Sequence, residues 1–103
     1  MSDPYTLVKS ILAKTPGDRA FKPGDSILTL WQKIVRNRGG EVGYMESPAT
    51  IMRKFYKTLG GDTSAYDYMT LLRRSVKLAG GEPSGNETPF SLLQKLEQVY
   101  TNE

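Results

Sequence analysis

The chain has 103 residues and carries 14 lysines and arginines against 11 acids, for a formal charge of +3. It contains no cysteine and no histidine, which excludes a disulfide framework, a thiolate metal site, imidazole catalysis and histidine-ligated zinc. No apolar run approaches the roughly 20 residues of a membrane-spanning helix. Met1 to Leu12 lacks a signal-peptide shape, because Asp3 and Pro4 stand where a basic region belongs and Lys9 interrupts the apolar part. The composition predicts a soluble chain, intracellular or carried inside a particle. Its mild basicity is compatible with an acidic partner without demanding one.

In chain order, the first predicted helix runs from Asp3 to about Lys14, with Pro4 at the first helical position and Thr15, Pro16 and Gly17 as its stop. The following junction is the longest, and Phe21 is its only large apolar residue, expected against the first two helices. The second helix spans about Ile27 to Arg38 and stops at Gly39-Gly40. A junction with Val42, Tyr44 and Met45 leads to the third. That unit, Ser47 to Asp62, has a serine N-cap, Pro48, an apolar stripe of Ile51, Met52, Phe55 and Tyr56, and a closing Gly60-Gly61. The fourth helix spans about Tyr68 to Ala79 behind Asp67, although Ser64 could begin an extra turn. The fifth runs from Pro89 to about Tyr100 and follows a polar, turn-like junction.

These units are copies of one another. Aligned on Leu7, Leu30, Ile51, Leu71 and Leu92, the cap column reads Asp3, Ser26, Ser47, Asp67 and Thr88. A hydroxyl column reads Thr6, Thr29, Thr50, Thr70 and Ser91, placed where a side chain can reach back to the cap. Further columns hold apolar residues, a closing glycine or asparagine, and then an acid. The whole chain, 1–103, is therefore one helical-repeat domain with repeats at about 3–18, 26–41, 47–62, 67–82 and 88–103. The predicted fold is all-α, a compact array of five short helices built from an internal repeat of about 20 residues. Helices this short must bury their stripes against neighbours. Short turns would give an antiparallel bundle and extended returns a parallel-helix solenoid, and the sequence leaves both open. As end units, repeats one and five are expected to be less stable than helices two to four. Gly61 is expected to have a positive φ.

The feature most suggestive of function is a basic column of Lys33, Arg36, Arg53, Lys54, Lys57, Arg73, Arg74 and Lys77, extended by Lys95. In register it would form a stripe able to face phosphates or an acidic protein surface. A solvated polar face that complements the helix dipoles explains the same residues. The glycine pairs follow helix C-termini, where the dipole repels anions, so they do not read as phosphate cradles. The recurring acids Asp18, Glu41, Asp62 and Glu82 are too widely spaced for a calcium loop. Trp31 and Tyr44 are candidate aromatic anchors, while the position of Trp31 on the apolar stripe also fits core packing. No base is available to activate a nucleophile in the hydroxyl column. No catalytic residue, cofactor or metal site is assigned, and the chain is read as a non-enzyme.

The segments LWQKIVRNRGG and LLRRSVKLAGG carry a pattern of polar cap, apolar pair, basic residue, apolar pair and closing Gly-Gly. It resembles a short helical repeat in structural proteins of tailed bacteriophages, notably cyanophages. The pattern breaks at Ser75 and Glu97, in apolar columns, and at Pro16 and Thr101, in place of the first glycine. The resemblance implies a structural or adaptor component of a virion (tail, baseplate, fibre or capsid-associated), assembled in the host cytoplasm. Its implied partners are other virion proteins in multiple copies, with no membrane and no small-molecule substrate. The competing reading is a small basic nucleic-acid-binding protein, with weak and nonspecific binding at most.

Overall fold

The computed structural model describes residues 3–17, 20, 22–43, 46–62 and 67–101. Five helices occur among them: α1 Pro4–Lys14, α2 Ile27–Asn37, α3 Pro48–Thr58, α4 Tyr68–Leu78 and α5 Pro89–Thr101. Each starts where a side chain satisfies an orphan amide of its first turn. Asp3, Ser26, Ser47 and Asp67 accept from the backbone N–H of Thr6, Thr29, Thr50 and Thr70, and Thr88 Oγ1 accepts from Ser91 N–H. The hydroxyl column reinforces the caps: Ser47 Oγ lies 2.9 Å from Thr50 Oγ1, and Ser26 and Thr29 pair likewise at 3.2 Å.

The helix stops use two glycines for two different reasons. At the end of α3, Gly60 takes the left-handed conformation with φ +96°, and its N–H bonds to the Lys57 carbonyl. The next amide, Gly61 N–H, reaches back to the Tyr56 carbonyl at 3.0 Å. These two bonds form a Schellman motif, which satisfies carbonyls that a helix end would otherwise orphan. Gly61 itself does not have a positive φ, contrary to the sequence expectation. It must be glycine because a Cβ there would collide with the Tyr56 ring. Helices α2 and α4 end the same way. In α1, Pro16 occupies the first-glycine position, and the chain turns through an extended Thr15 to reach its left-handed residue at Gly17.

Four positions per helix build the interior. They are Leu7, Val8, Ile11 and Leu12 on α1, and Leu30, Trp31, Ile34 and Val35 on α2. Equivalent sets are buried on α3 (Ile51, Met52, Phe55, Tyr56) and α4 (Leu71, Leu72, Ser75, Val76). On α5, Leu92, Leu93 and Leu96 are buried in the same way. There Glu97 takes the fourth position half-buried, and Tyr100, one turn later, supplies the missing buried side chain.

The helices run parallel. Arg38 Nε, at the end of α2, donates to Thr58 Oγ1 at the end of α3. Gly17, just past α1, abuts the Asn37 side chain on α2, and Gly81, just past α4, abuts Val99 on α5. Neighbours therefore meet C-terminus to C-terminus, and each junction returns the chain to the starting end. Consecutive helices pack on one another, and α1 packs on α5. The array is a closed ring, flattened to 35 × 32 × 22 Å. This corrects the expectation that the first and last helices are end units with a single neighbour. The first and last helices carry the same apolar face as the inner ones, so each has a second face to bury and they bury it together.

Candidate interaction face

The basic column does not form one uniform stripe. Three of its lysines are engaged by the junction that precedes their helix. Lys33 lies 3.5 Å from Asp25, Lys54 lies 2.6 Å from Glu46, and Lys95 lies 2.5 Å from Glu87. Each acid stands one residue before the helix cap and also accepts a backbone N–H from three residues upstream, on Lys22, Gly43 and Ser84 respectively. Lys33 and Lys95 further donate to the carbonyls of Ala20 and Glu82, at 2.5 and 2.8 Å. These lysines fasten the returning chain to its own helix.

The charges respond to that geometry. The Lys54 ammonium and the Gly43 amide hold Glu46 below the usual carboxylate range, and Lys95 with the Ser84 amide does the same for Glu87. Asp25 is lowered chiefly by the Lys22 amide and secondarily by Lys33. Amide donors from Thr6 and Thr70 lower the capping acids Asp3 and Asp67. Burial pushes the Tyr68 phenol up.

Arg53 and Arg73 are half-buried, and each keeps its Nε inside the protein surface without a hydrogen-bond partner. Arg36, Lys57, Arg74 and Lys77 are exposed, on α2, α3 and α4. Arg36 also reaches the Val42 carbonyl at 3.4 Å. Arg73, Arg74 and Lys77 come together in a groove of about 650 Å³ between α4 and the chain that follows it, residues 81–85.

Arg38, outside the predicted face, occupies a central position. It reaches across the ring: its guanidinium lies 5.9 Å from the Phe55 ring of α3 and 5.7 Å from the Tyr100 ring of α5. It sits where the C-terminal ends of α2 to α5 converge, beside a depression of about 290 Å³ that also contacts Leu59, Leu78 and Ala79. A fixed cation there complements the negative ends of the helix dipoles.

Trp31 is 2% exposed and packs edge-on against Phe55 with centroids 4.9 Å apart, so it belongs to the core. The second candidate anchor, Tyr44, lies outside the described residues, as do Phe21, Asp18 and Ser64. Glu41, Asp62 and Glu82 are exposed, and no group of three or more acids occurs among the described residues that could hold a metal ion. Among the described residues, no helix is long and apolar enough to cross a membrane. The acid–lysine staples are not among the sequence expectations, yet the sequence holds their signal. An acid one residue before the cap is followed eight residues later by lysine in repeats two, three and five.

Comparison with known proteins finds no match to any family model, curated protein or solved structure.

Proposed function

We propose that this chain is a non-enzymatic structural or adaptor component that acts through protein–protein contacts, with a bacteriophage virion as its setting. The observation that carries the contact surface is the sorting of the basic column. Lys33, Lys54 and Lys95 pair with junction acids, and Arg36, Lys57, Arg74 and Lys77 are exposed on the surface of three consecutive helices of a closed ring. A rigid scaffold that presents charge on a short helical face suits docking, because little has to be ordered on binding. The virion setting rests on the likeness of LWQKIVRNRGG and LLRRSVKLAGG to the phage repeat.

Purification from phage-infected cells tests both parts. The chain should travel with assembled particles and survive nuclease treatment there. Its recovery only with free nucleic acid, released by moderate salt, would replace this reading with the nucleic-acid one.

A further inference from the structure

We infer that the depression at the C-terminal end of the ring receives the carboxy-terminus of a partner protein, with Arg38 gripping the terminal carboxylate, an inference that rests on the protein-binding reading above. Four helix ends wall the depression. Arg38 caps α2, Leu59 caps α3, Ala79 caps α4, and Tyr100 stands in the last turn of α5. These four residues belong to one column of the repeat, whose fifth member is Thr15. Arg38 is the one charged residue in that column. Since Leu59 and Ala79 cap their helices without a charge, the ring does not require a cation at this position.

The guanidinium is fixed without being neutralised. Its Nε donates to Thr58 Oγ1 at 3.3 Å, and that hydroxyl is itself held by donating to the Phe55 carbonyl at 2.6 Å. The Phe55 and Tyr100 rings lie 5.9 and 5.7 Å from its central carbon. Among the described residues no carboxylate pairs with Arg38, and none lines the depression. Arg38 also borders a second depression, whose one acid, Glu41, makes no ion pair with it. The terminal nitrogens make no hydrogen bond to a described residue, so they remain for a planar acceptor. They form the fork that holds a carboxylate through two parallel bonds, and a side chain already fixed loses little freedom on binding.

The rest of the lining specifies the rest of the ligand. Leu78 is 46% exposed, the one large apolar side chain so exposed among the described residues, and it borders the depression beside Val99. The volume of about 290 Å³ is close to the lower bound of roughly 300 Å³ for small-ligand sites, which suits one apolar side chain next to a carboxylate. Walls from four helix ends admit a chain end, whereas a continuous segment needs a groove open at two ends. The helices also select the charge. Their C-terminal dipoles oppose an anion, so a single arginine balances one carboxylate charge better than the nearly double charge of a phosphate.

Nuclear magnetic resonance titration of the isotope-labelled chain with N-acetyl-leucine tests the site, with N-acetyl-leucinamide and inorganic phosphate as comparison probes. N-acetyl-leucine should shift the Arg38 side-chain N–H signal and the Leu59 and Ala79 amides saturably, with a Kd on the order of 1 mM for so small a ligand. The amide, which lacks the carboxylate, and phosphate should each bind at least about tenfold more weakly. Arg38→Lys keeps the charge but loses the fork, and should weaken N-acetyl-leucine binding about tenfold. The control Arg36→Lys makes the same exchange at an exposed position of the same helix and should change binding less than about twofold. Leu78→Asn, also exposed, should weaken binding about threefold and covers the case in which Arg38→Lys does not fold. No saturable shift, equal binding of the amide or of phosphate, or unchanged binding in the site variants would each overturn the proposal. Particle incorporation separates it from the broader reading. If Arg38→Lys has lost N-acetyl-leucine binding and is still incorporated, the depression is not the docking site and the adaptor reading stands. Absence of the wild-type chain from particles would overturn the adaptor reading and this inference together.

Discussion

Helices α3 and α4 hold equivalent places in the ring with different fillings. Where α3 puts Phe55, edge-on to Trp31 and under Arg38, α4 puts Ser75, also fully buried and with no hydrogen-bond partner for its hydroxyl. Outside, α3 is stapled by Glu46 and Lys54, whereas α4 has Tyr66 and Arg74 at those positions. The caps, the closing glycines and the remaining buried positions agree. The comparison separates what the ring requires of each unit from what it leaves free. Backbone capping and close approach at the glycines are required. Individual side-chain volumes can vary as long as the shared interior is filled, and the outer charges can be reassigned.

The sharpest contrast should come from truncating the two equivalent core positions. Phe55→Ala should cost about 3–5 kcal/mol in chemical denaturation, through lost burial and a residual cavity. Ser75→Ala should be neutral or stabilising by up to roughly 1–2 kcal/mol, because it removes a buried hydroxyl without a partner. A Ser75→Ala loss close to that of Phe55→Ala would break the comparison. It would mean that the hydroxyl has a structural role.

The glycine pair comes next. Gly61→Ala should cost about 1–3 kcal/mol by forcing a methyl into the Tyr56 ring. Gly60→Ala should cost about 1 kcal/mol, since a Cβ there meets open space and only the left-handed conformation opposes it. Thermal denaturation of both variants would order them. The reverse order would place the left-handed conformation, not the close approach, as the main constraint.

The smallest effect is on acid stability. Glu46 in repeat three and Asp67 in repeat four both titrate below their unfolded values of about 4.3 and 3.9. Their contribution is therefore complete above those values and is lost as pH falls through the lower folded ones. The melting temperature should be flat from about pH 5 to 8 and fall below about pH 4. Asp67→Ser, which gives α4 the cap type of α3, should shallow that fall. An unchanged slope would mean that this cap does not contribute to acid sensitivity.

Much of the fold was legible because it is written in columns. Each cap type at Asp3, Ser26, Ser47, Asp67 and Thr88 marks a local bond to an amide three residues on. The apolar stripe named the buried positions for the same local reason. Closure was not legible, because it depends on the small rotation between successive helices, which no short stretch specifies. Glu97 breaks the apolar column of repeat five, and the compensation by Tyr100 one turn later shows only in three dimensions. The glycine assignment was off by one residue, since adjacent glycines look alike until the chain direction is known. In the candidate face, the charges were visible but their commitment was not. Lys54 and Lys57 read alike, and only the returning junction distinguishes the stapled one from the exposed one.

Closure of α1 on α5 is the feature from which the rest follows. Amide hydrogen exchange at single-residue resolution tests it most directly. In a closed ring, Leu92 to Leu96 of α5 and Leu7 to Ile11 of α1 should be as protected as Leu30 to Val35 of α2, all reporting one cooperative unfolding. Exchange of the α1 and α5 amides several orders of magnitude faster than those of α2, α3 and α4 would show frayed ends and contradict the ring.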